Sequence, residues 1–421
     1  MITSRYHHKS DHVLDLSPGT AASWISAEGR EGDHTMDRQE RGRREYTAMM
    51  GSAPEEALAG LRRKSPELFD AILDGFGGPI ARTELSRTAR ELATVTTLAA
   101  LGGAEPQLAV HTAAALRNDV TPAELRALAE HLSLYVGMPR ALNALRVIDE
   151  VLAAAGTPPP ADLQRVRLAD HETVVARRGE SGPPVVLLHA LGLGWRMWEP
   201  VMERLAETRR VYAYDLRGHG SAAGAPTSFT MQDAAADLFG VLDALGLEQA
   251  HVVGLSYGGG IAQTAAVARP ERFASLALLG TTDHAFEAFE GRARSAEEEG
   301  MAAQIVPSLT RWFTPAALAV NGPGVRYARE LVLRADPADW AAAWRAFKGV
   351  DVQGRLAGFE PPTLVLAGEL DASCTPEIMK ALAARIPGAT YQELPGTPHM
   401  MTLERPDLVA AALDDFLPRA S

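Results

Sequence analysis

The sequence predicts a multidomain protein: an all-α helical domain followed by an α/β domain with a doubly wound parallel sheet and a helical cap. Three observations carry this. From about residue 45 to 155, apolar residues recur at the 3.6-residue spacing of helices. Gly156-Thr-Pro-Pro-Pro160 then breaks the pattern with a stiff, extended connector. After it, short apolar runs alternate with helical segments, the grammar of a parallel sheet buried on both faces.

The chain has 421 residues, too many for one ordinary domain, so two or three are expected. Its net charge is −12, which disfavours binding to nucleic acid or an anionic membrane. Cys374 is the only cysteine, so an intramolecular disulfide and any Cys-x-x-Cys redox or zinc motif are excluded. The longest apolar runs, such as 183–188, are far too short to span a bilayer. His7, His8, Lys9, Asp11 and His12 interrupt any signal-peptide-like stretch, and a cytoplasmic location is expected.

Residues 1–44 are polar and aperiodic, and a disordered tail is expected, with Met36 an alternative start. The helical domain is placed at 45–155. Ser86 can cap a helix that keeps Leu92, Val95, Leu98 and Ala99 on one face and ends at Gly102-Gly103. A second helix spans about 105–117. Thr121-Pro-Ala-Glu124 is a capping box with Pro at the first helical position, opening a third helix that ends near Gly137. Pro139 starts a fourth. Residues 156–165 form the linker. The α/β domain is placed at 166–421, with buried strands at 185–188, 210–214, 250–253, 276–279 and 363–367, and a cap at about 283–354.

The segment Gly254-Leu-Ser-Tyr-Gly258 matches G-x-S-x-G between a strand and a helix, the nucleophile-elbow context of the α/β-hydrolase fold. Side chains at Gly254 or Gly258 would crowd the strained turn. A serine hydroxyl is a weak nucleophile until a base removes its proton. His399, in Leu394-Pro-Gly-Thr-Pro-His399, is the expected base, and Asp371, at the end of a strand, its acid. The order Ser256, Asp371, His399 is that of this fold. The backbone N–H groups of Tyr257 and Leu191 are the oxyanion candidates. His189, His219 and His251 compete for the base, and Glu369 and Asp215 for the acid.

With Tyr214-Asp-Leu-Arg-Gly-His-Gly220, Gly254-Leu-Ser-Tyr-Gly-Gly259 and Arg311-Trp-Phe-Thr-Pro315, the stretch from 185 to 399 resembles the 3-oxoadipate enol-lactonases within the α/β-hydrolases. The last segment lies in the cap, so Arg311 and Trp312 are candidates to touch a small anionic lactone.

Residues of about 67–152 resemble the carboxymuconolactone decarboxylase family. Leu85-Ser-Arg-Thr-Ala-Arg-Glu91, Leu98-Ala-Ala-Leu-Gly102, His111, 118–121 and His131-Leu-Ser-Leu-Tyr-Val-Gly-Met-Pro139 carry the likeness. In the substrate it implies, the leaving carboxylate sits on the γ carbon of a butenolide. Loss of carbon dioxide gives an aromatic oxyfuran anion, so no cofactor is needed, only oxyanion stabilisation and a proton for carbon. Glu91 lies 12 residues before Gly103 and His111 8 after it, so the two can meet across the hairpin. Arg87, four residues before Glu91, and His131 are candidate substrate-binding residues.

Together these resemblances imply a bifunctional enzyme of protocatechuate breakdown. It would convert 4-carboxymuconolactone to 3-oxoadipate enol-lactone and then to 3-oxoadipate. No metal or organic cofactor is expected, and a homo-oligomer assembled through the helical domain is. The alternatives are a tailoring lactone or ester hydrolase of another pathway, with the helical domain acting on a different substrate or serving as an oligomerisation scaffold.

Overall fold

The structure is a computed structural model and describes residues 37–419. It divides into two units between Ser86 and Arg87. The first holds the helices Arg38–Met50, Pro54–Ala57, Ala59–Lys64 and Pro66–Gly75 and a short π-helix, Phe76–Ile80. Residues 1–36 of the expected tail lie outside the described residues, but from Arg38 onward that expectation is corrected to helix. The cause is Gly42. A Cβ there would meet the Leu73 carbonyl oxygen at 2.1 Å, so the helix packs through a missing side chain that no hydrophobic pattern reveals.

The second unit opens with four helices, Arg87–Leu101, Glu105–Arg117, Pro122–Val136 and Met138–Ala154. Thr121 and Glu124 cap the third reciprocally. Gly102 and Gly103, at φ of 66° and 72°, make the tight turn between the first two. Val95, Leu108, Leu125, Ile148 and Leu152 form these helices' own core.

The strands are β1 (Asp162–Arg167), β2 (Glu172–Arg178), β3 (Pro184–Leu188), β4 (Arg210–Tyr214), β5 (Ala250–Leu255), β6 (Phe273–Leu279), β7 (Thr363–Gly368) and β8 (Thr390–Leu394). They form one sheet in the order β1-β2-β4-β3-β5-β6-β7-β8. β3 to β8 pair in parallel, whereas β1–β2 and β2–β4 are antiparallel, so the sheet is mixed at one edge. β1 begins inside the stretch expected to be linker. It is exposed except at Val166, and β8 is exposed except at half-buried Tyr391 and buried Leu394, so neither edge strand shows the apolar run of a buried one.

Between β6 and β7 lie five helices, Ala288–Glu299, Met301–Trp312, Pro315–Val320, Pro323–Arg334 and Pro337–Lys348. An antiparallel bridge between His284 and Asp351 and a bond from Val352 N–H to Asp283 C=O close the base of this insertion. The ends of β3, β5 and β7 and the loop after β8 converge at the carboxyl edge of the sheet, where such folds place their sites.

Candidate active sites

Ser256 follows β5 with φ 54° and ψ −114°, a left-handed conformation unusual for a residue with a side chain. Such strain costs about 1–3 kcal/mol and persists only where the surroundings impose it. Here Ser256 N–H donates to Leu279 C=O at 2.9 Å, and Ser256 C=O accepts from the Thr281 hydroxyl at 2.7 Å and from Gly260 N–H at 3.0 Å. At about 1 kcal/mol each, these bonds offset the strain. Close packing adds the rest. A Cβ on Gly254 would lie 2.4 Å from the Gly258 carbonyl oxygen, and one on Gly258 would lie 2.4 Å from that of Leu188. Thr281 is a brace that carries no motif and was not legible in the sequence.

The Ser256 hydroxyl lies 3.1 Å from His399 Nε2, and His399 Nδ1 lies 2.7 Å from Asp371 Oδ2. A carboxylate can only accept, so Nδ1 carries the proton and Nε2 is left to accept from the serine. Asp371 Oδ1 is held by the N–H groups of Ser373 and Cys374 at 2.7 and 2.8 Å, which fixes the carboxylate plane. His399 and Asp371 are both buried.

The competing residues are used elsewhere. Glu369 accepts from Gly396 N–H at 2.6 Å, and Asp215 from the N–H groups of Trp195 and Ser221. His251 is hydrogen-bonded to the Ser275 hydroxyl. His189 and His219 each accept a backbone N–H at Nε2. Asp170, His171 and Asp237 bring possible metal-ligating atoms within 4.8 Å of one another. The Arg217 guanidinium already pairs with both carboxylates, at 2.7 Å to Asp170 and 2.9 Å to Asp237, and its charge opposes a second cation.

Above Ser256 a small cavity lies between the sheet edge and the cap. Ser256, His399, Leu191 and Trp312 line it, as do Phe289, Trp344 and Phe347. Arg311 is absent from this lining, and its buried Nε has no hydrogen-bond partner. Burial, and then the charge of Arg292, bring its pKa down to about 10. Arg292 is the cation that lines the cavity, stacked over Trp344 at 4.8 Å and Phe289 at 5.7 Å. Burial lowers its pKa as well. Its signal in the sequence was faint: it stands three residues after Phe289, on the same helical face.

In the helical domain, His111 Nδ1 lies 3.0 Å from Glu91 Oε2 across the Gly102-Gly103 hairpin. Glu91 is fully buried, and its other carboxylate oxygen has no hydrogen-bond partner. The His111 side chain keeps 26% of its surface exposed. Arg87 stands exposed at the first residue of the helix that holds Glu91. His131 is exposed on the third helix, its ring 4.9 Å from that of Tyr135.

Residues 183–406 match the α/β hydrolase fold family, and residues 66–150 the carboxymuconolactone decarboxylase family. 3-Oxoadipate enol-lactonase 1 of Acinetobacter baylyi is 28% identical over 240 residues, covering 56% of this chain and 90% of its own. The crystal structure of the enol-lactonase from Burkholderia xenovorans superposes with a TM-score of 0.58 at 29% identity, covering 60% of this chain and 99% of its own. A thermophilic esterase from Thermogutta terrifontis gives 0.56 at 30% identity, over 61% of this chain and 97% of its own. The elbow, the sheet order and a family match over more than half of the chain agree: it belongs to the α/β-hydrolase family, with a carboxymuconolactone decarboxylase-family domain ahead of the hydrolase.

Proposed function

We propose that the chain is a bifunctional enzyme that decarboxylates 4-carboxymuconolactone in its helical domain and hydrolyses the resulting 3-oxoadipate enol-lactone in its α/β domain. The observation that carries the reading is the relay from Asp371 through His399 to Ser256, opening on a cavity whose charged wall is Arg292. Ser256 attacks the lactone carbonyl as His399 takes its proton and Asp371 holds the imidazolium. The N–H groups of Leu191 and Tyr257 receive the oxyanion. The ring C–O bond breaks as His399 gives that proton to the leaving enol oxygen, and the enol becomes a ketone; His399, neutral again, then takes a proton from the water that attacks the acyl-serine and returns it to Ser256 as the acyl–oxygen bond breaks. Trp312 shapes the wall.

In the helical domain Glu91 and His111 hold and move the proton that the ring carbon receives, and Arg87 and His131 attract the carboxylates. The unpartnered oxygen of Glu91 supports this, since a buried acceptor left unsatisfied costs about 1–3 kcal/mol and a ligand N–H or O–H would relieve it. Assembly through this domain belongs to the same reading and is supported by the exposed apolar side chains Leu134, Tyr135, Met138 and Leu142. No described helix is long and apolar enough to cross a membrane.

The test supplies the purified protein with each lactone and follows carbon dioxide and ring opening separately. Release of carbon dioxide from the first and opening of the second are expected. Ring opening without any carbon dioxide would leave only the hydrolase half.

Arg292 gives a narrower prediction. No carboxylate forms an ion pair with it among the described residues, so a substrate carboxylate is its natural partner. Arg292→Leu should raise KM for the carboxylate-bearing enol-lactone about 30-fold, in keeping with the roughly 2 kcal/mol of a partly buried charged hydrogen bond. Hydrolysis of an uncharged γ-lactone should change only a few-fold. Equal losses on both substrates would remove Arg292 from carboxylate recognition.

A further inference from the structure

His189 and His219 lie beside the triad without joining it, and both are buried. His219 Nε2 lies 2.9 Å from Gly192 N, and its Nδ1 lies 2.9 Å from the Arg217 carbonyl oxygen. The first partner can only donate and the second only accept. The ring is therefore neutral, with its proton on Nδ1 and its lone pair on Nε2. His189 repeats the arrangement. Leu216 N–H donates to its Nε2 and its Nδ1 faces the Ala190 carbonyl oxygen, each at 2.8 Å. Each histidine thus stands on one loop and holds the backbone of the other, and their rings meet edge-on at 5.0 Å.

These bonds fall on the two peptide planes that orient Leu191. Peptides are planar and trans, so fixing one end of a unit fixes the other. The Ala190 carbonyl is held by His189, which directs the Leu191 N–H the opposite way. The Gly192 N–H is held by His219, which sets the next plane. From the cap side there is no slack, because a Cβ on Gly192 would lie 2.3 Å from Trp340 and 3.3 Å from Trp312. The ring of Tyr257, whose N–H is the other oxyanion candidate, lies 6.1 Å from that of His219.

We propose that His219 is a positioning residue of the hydrolase site, which by accepting the Gly192 N–H aims the Leu191 N–H at the oxyanion that forms on Ser256. The inference rests on the reading of Ser256 as nucleophile. His219 touches no reacting atom. It works only as the neutral imidazole, since a second ring proton would face the Gly192 N–H donor-to-donor. Burial keeps it neutral, against the opposing pull of the Arg217 carbonyl, Asp215 and Asp339. His189 and Tyr257 are the other titratable groups facing it.

The experiment compares His219→Leu, His219→Gln and His219→Asn in the full-length protein, with an activated ester as substrate and phenylboronic acid as a tetrahedral mimic. Gln can accept from Gly192 and donate to Arg217; Leu can do neither; Asn is too short to reach both. His219→Leu should lower kcat about 10²–10³-fold with KM nearly unchanged, the size of effect seen when one oxyanion donor is lost. Boronate affinity should weaken in parallel, and His219→Gln should recover most of both. Should the Leu variant not fold, Gln is expected to exceed Asn in kcat by at least about tenfold. A Leu variant with wild-type kcat, or Gln no better than Leu or Asn, overturns the proposal. Ser256→Ala is measured alongside. If it still hydrolyses the ester, the nucleophile reading fails; if it is inactive while the His219 variants match wild type, only the positioning role fails.

Discussion

Ser256→Ala is expected to lower lactone hydrolysis by about six orders of magnitude, because members of a triad act as a unit and the loss of one removes nearly all that the three supply. The fold should survive. The strained backbone at Ser256 is held at its own N–H and C=O, by the Leu279 carbonyl, the Thr281 hydroxyl and the Gly260 N–H, and none of these bonds involves the Ser256 hydroxyl. Alanine keeps the Cβ and loses only the hydroxyl, so the melting temperature should move by no more than a few degrees, the equivalent of about 1 kcal/mol. The neighbouring thiol cannot stand in for it. Cys374 lines the same cavity, but burial, and then the charge of Asp371, push its thiol well above the usual range and keep it protonated. The measurement is single-turnover hydrolysis of the enol-lactone, with the acyl-enzyme sought by mass spectrometry in wild type and variant. Hydrolysis by Ser256→Ala within tenfold of wild type would end the assignment.

What could be read in the sequence follows from where each residue's constraint lies. The elbow was legible because its motif is local: Gly254 packs against Gly258 four residues on, although Gly258 itself packs against Leu188 on a distant strand. Asp371 and His399 were legible through strand ends and chain order, although 28 residues separate them. The buried strands announced themselves as apolar runs, while β1 and β8 were hidden because edge strands expose most of their side chains. Arg292 and Thr281 were not legible, because their roles depend on contacts between distant elements. The Ala288–Glu299 helix bends Arg292 over the cavity, and β6 brings Thr281 beneath the Ser256 carbonyl. The helix at Arg38 was missed for the same reason, since its packing at Gly42 is defined by a carbonyl more than thirty residues away.

The double substitution Glu91→Gln and His111→Ala should stop carbon dioxide release from 4-carboxymuconolactone while leaving hydrolysis of supplied enol-lactone at the wild-type rate. The reaction needs a proton on the carbon next to the lactone carbonyl once carbon dioxide has left, and a positioned acid contributes about 10²–10⁴-fold to such a step. Glu91 and His111 are the pair proposed to supply it. The carboxylate is fully buried with one oxygen 3.0 Å from His111 Nδ1, while the partly exposed ring of His111 can face an incoming ligand. Gln preserves the shape of Glu91 and can still hydrogen-bond, so the four-helix core of Val95, Leu108, Leu125 and Ile148 has no reason to repack. The hydrolase has a separate core, built on its sheet and cap, and its triad shares no residue with this one. The two losses should therefore be independent. In Ser256→Ala, carbon dioxide should still evolve and the enol-lactone accumulate until its slow spontaneous opening. In the double variant, labelled 4-carboxymuconolactone should remain intact by NMR. If the double variant, folded and assembled as wild type, still releases carbon dioxide at the wild-type rate, the chemistry lies with other residues. If wild type itself releases none, the helical domain serves another substrate or only assembly.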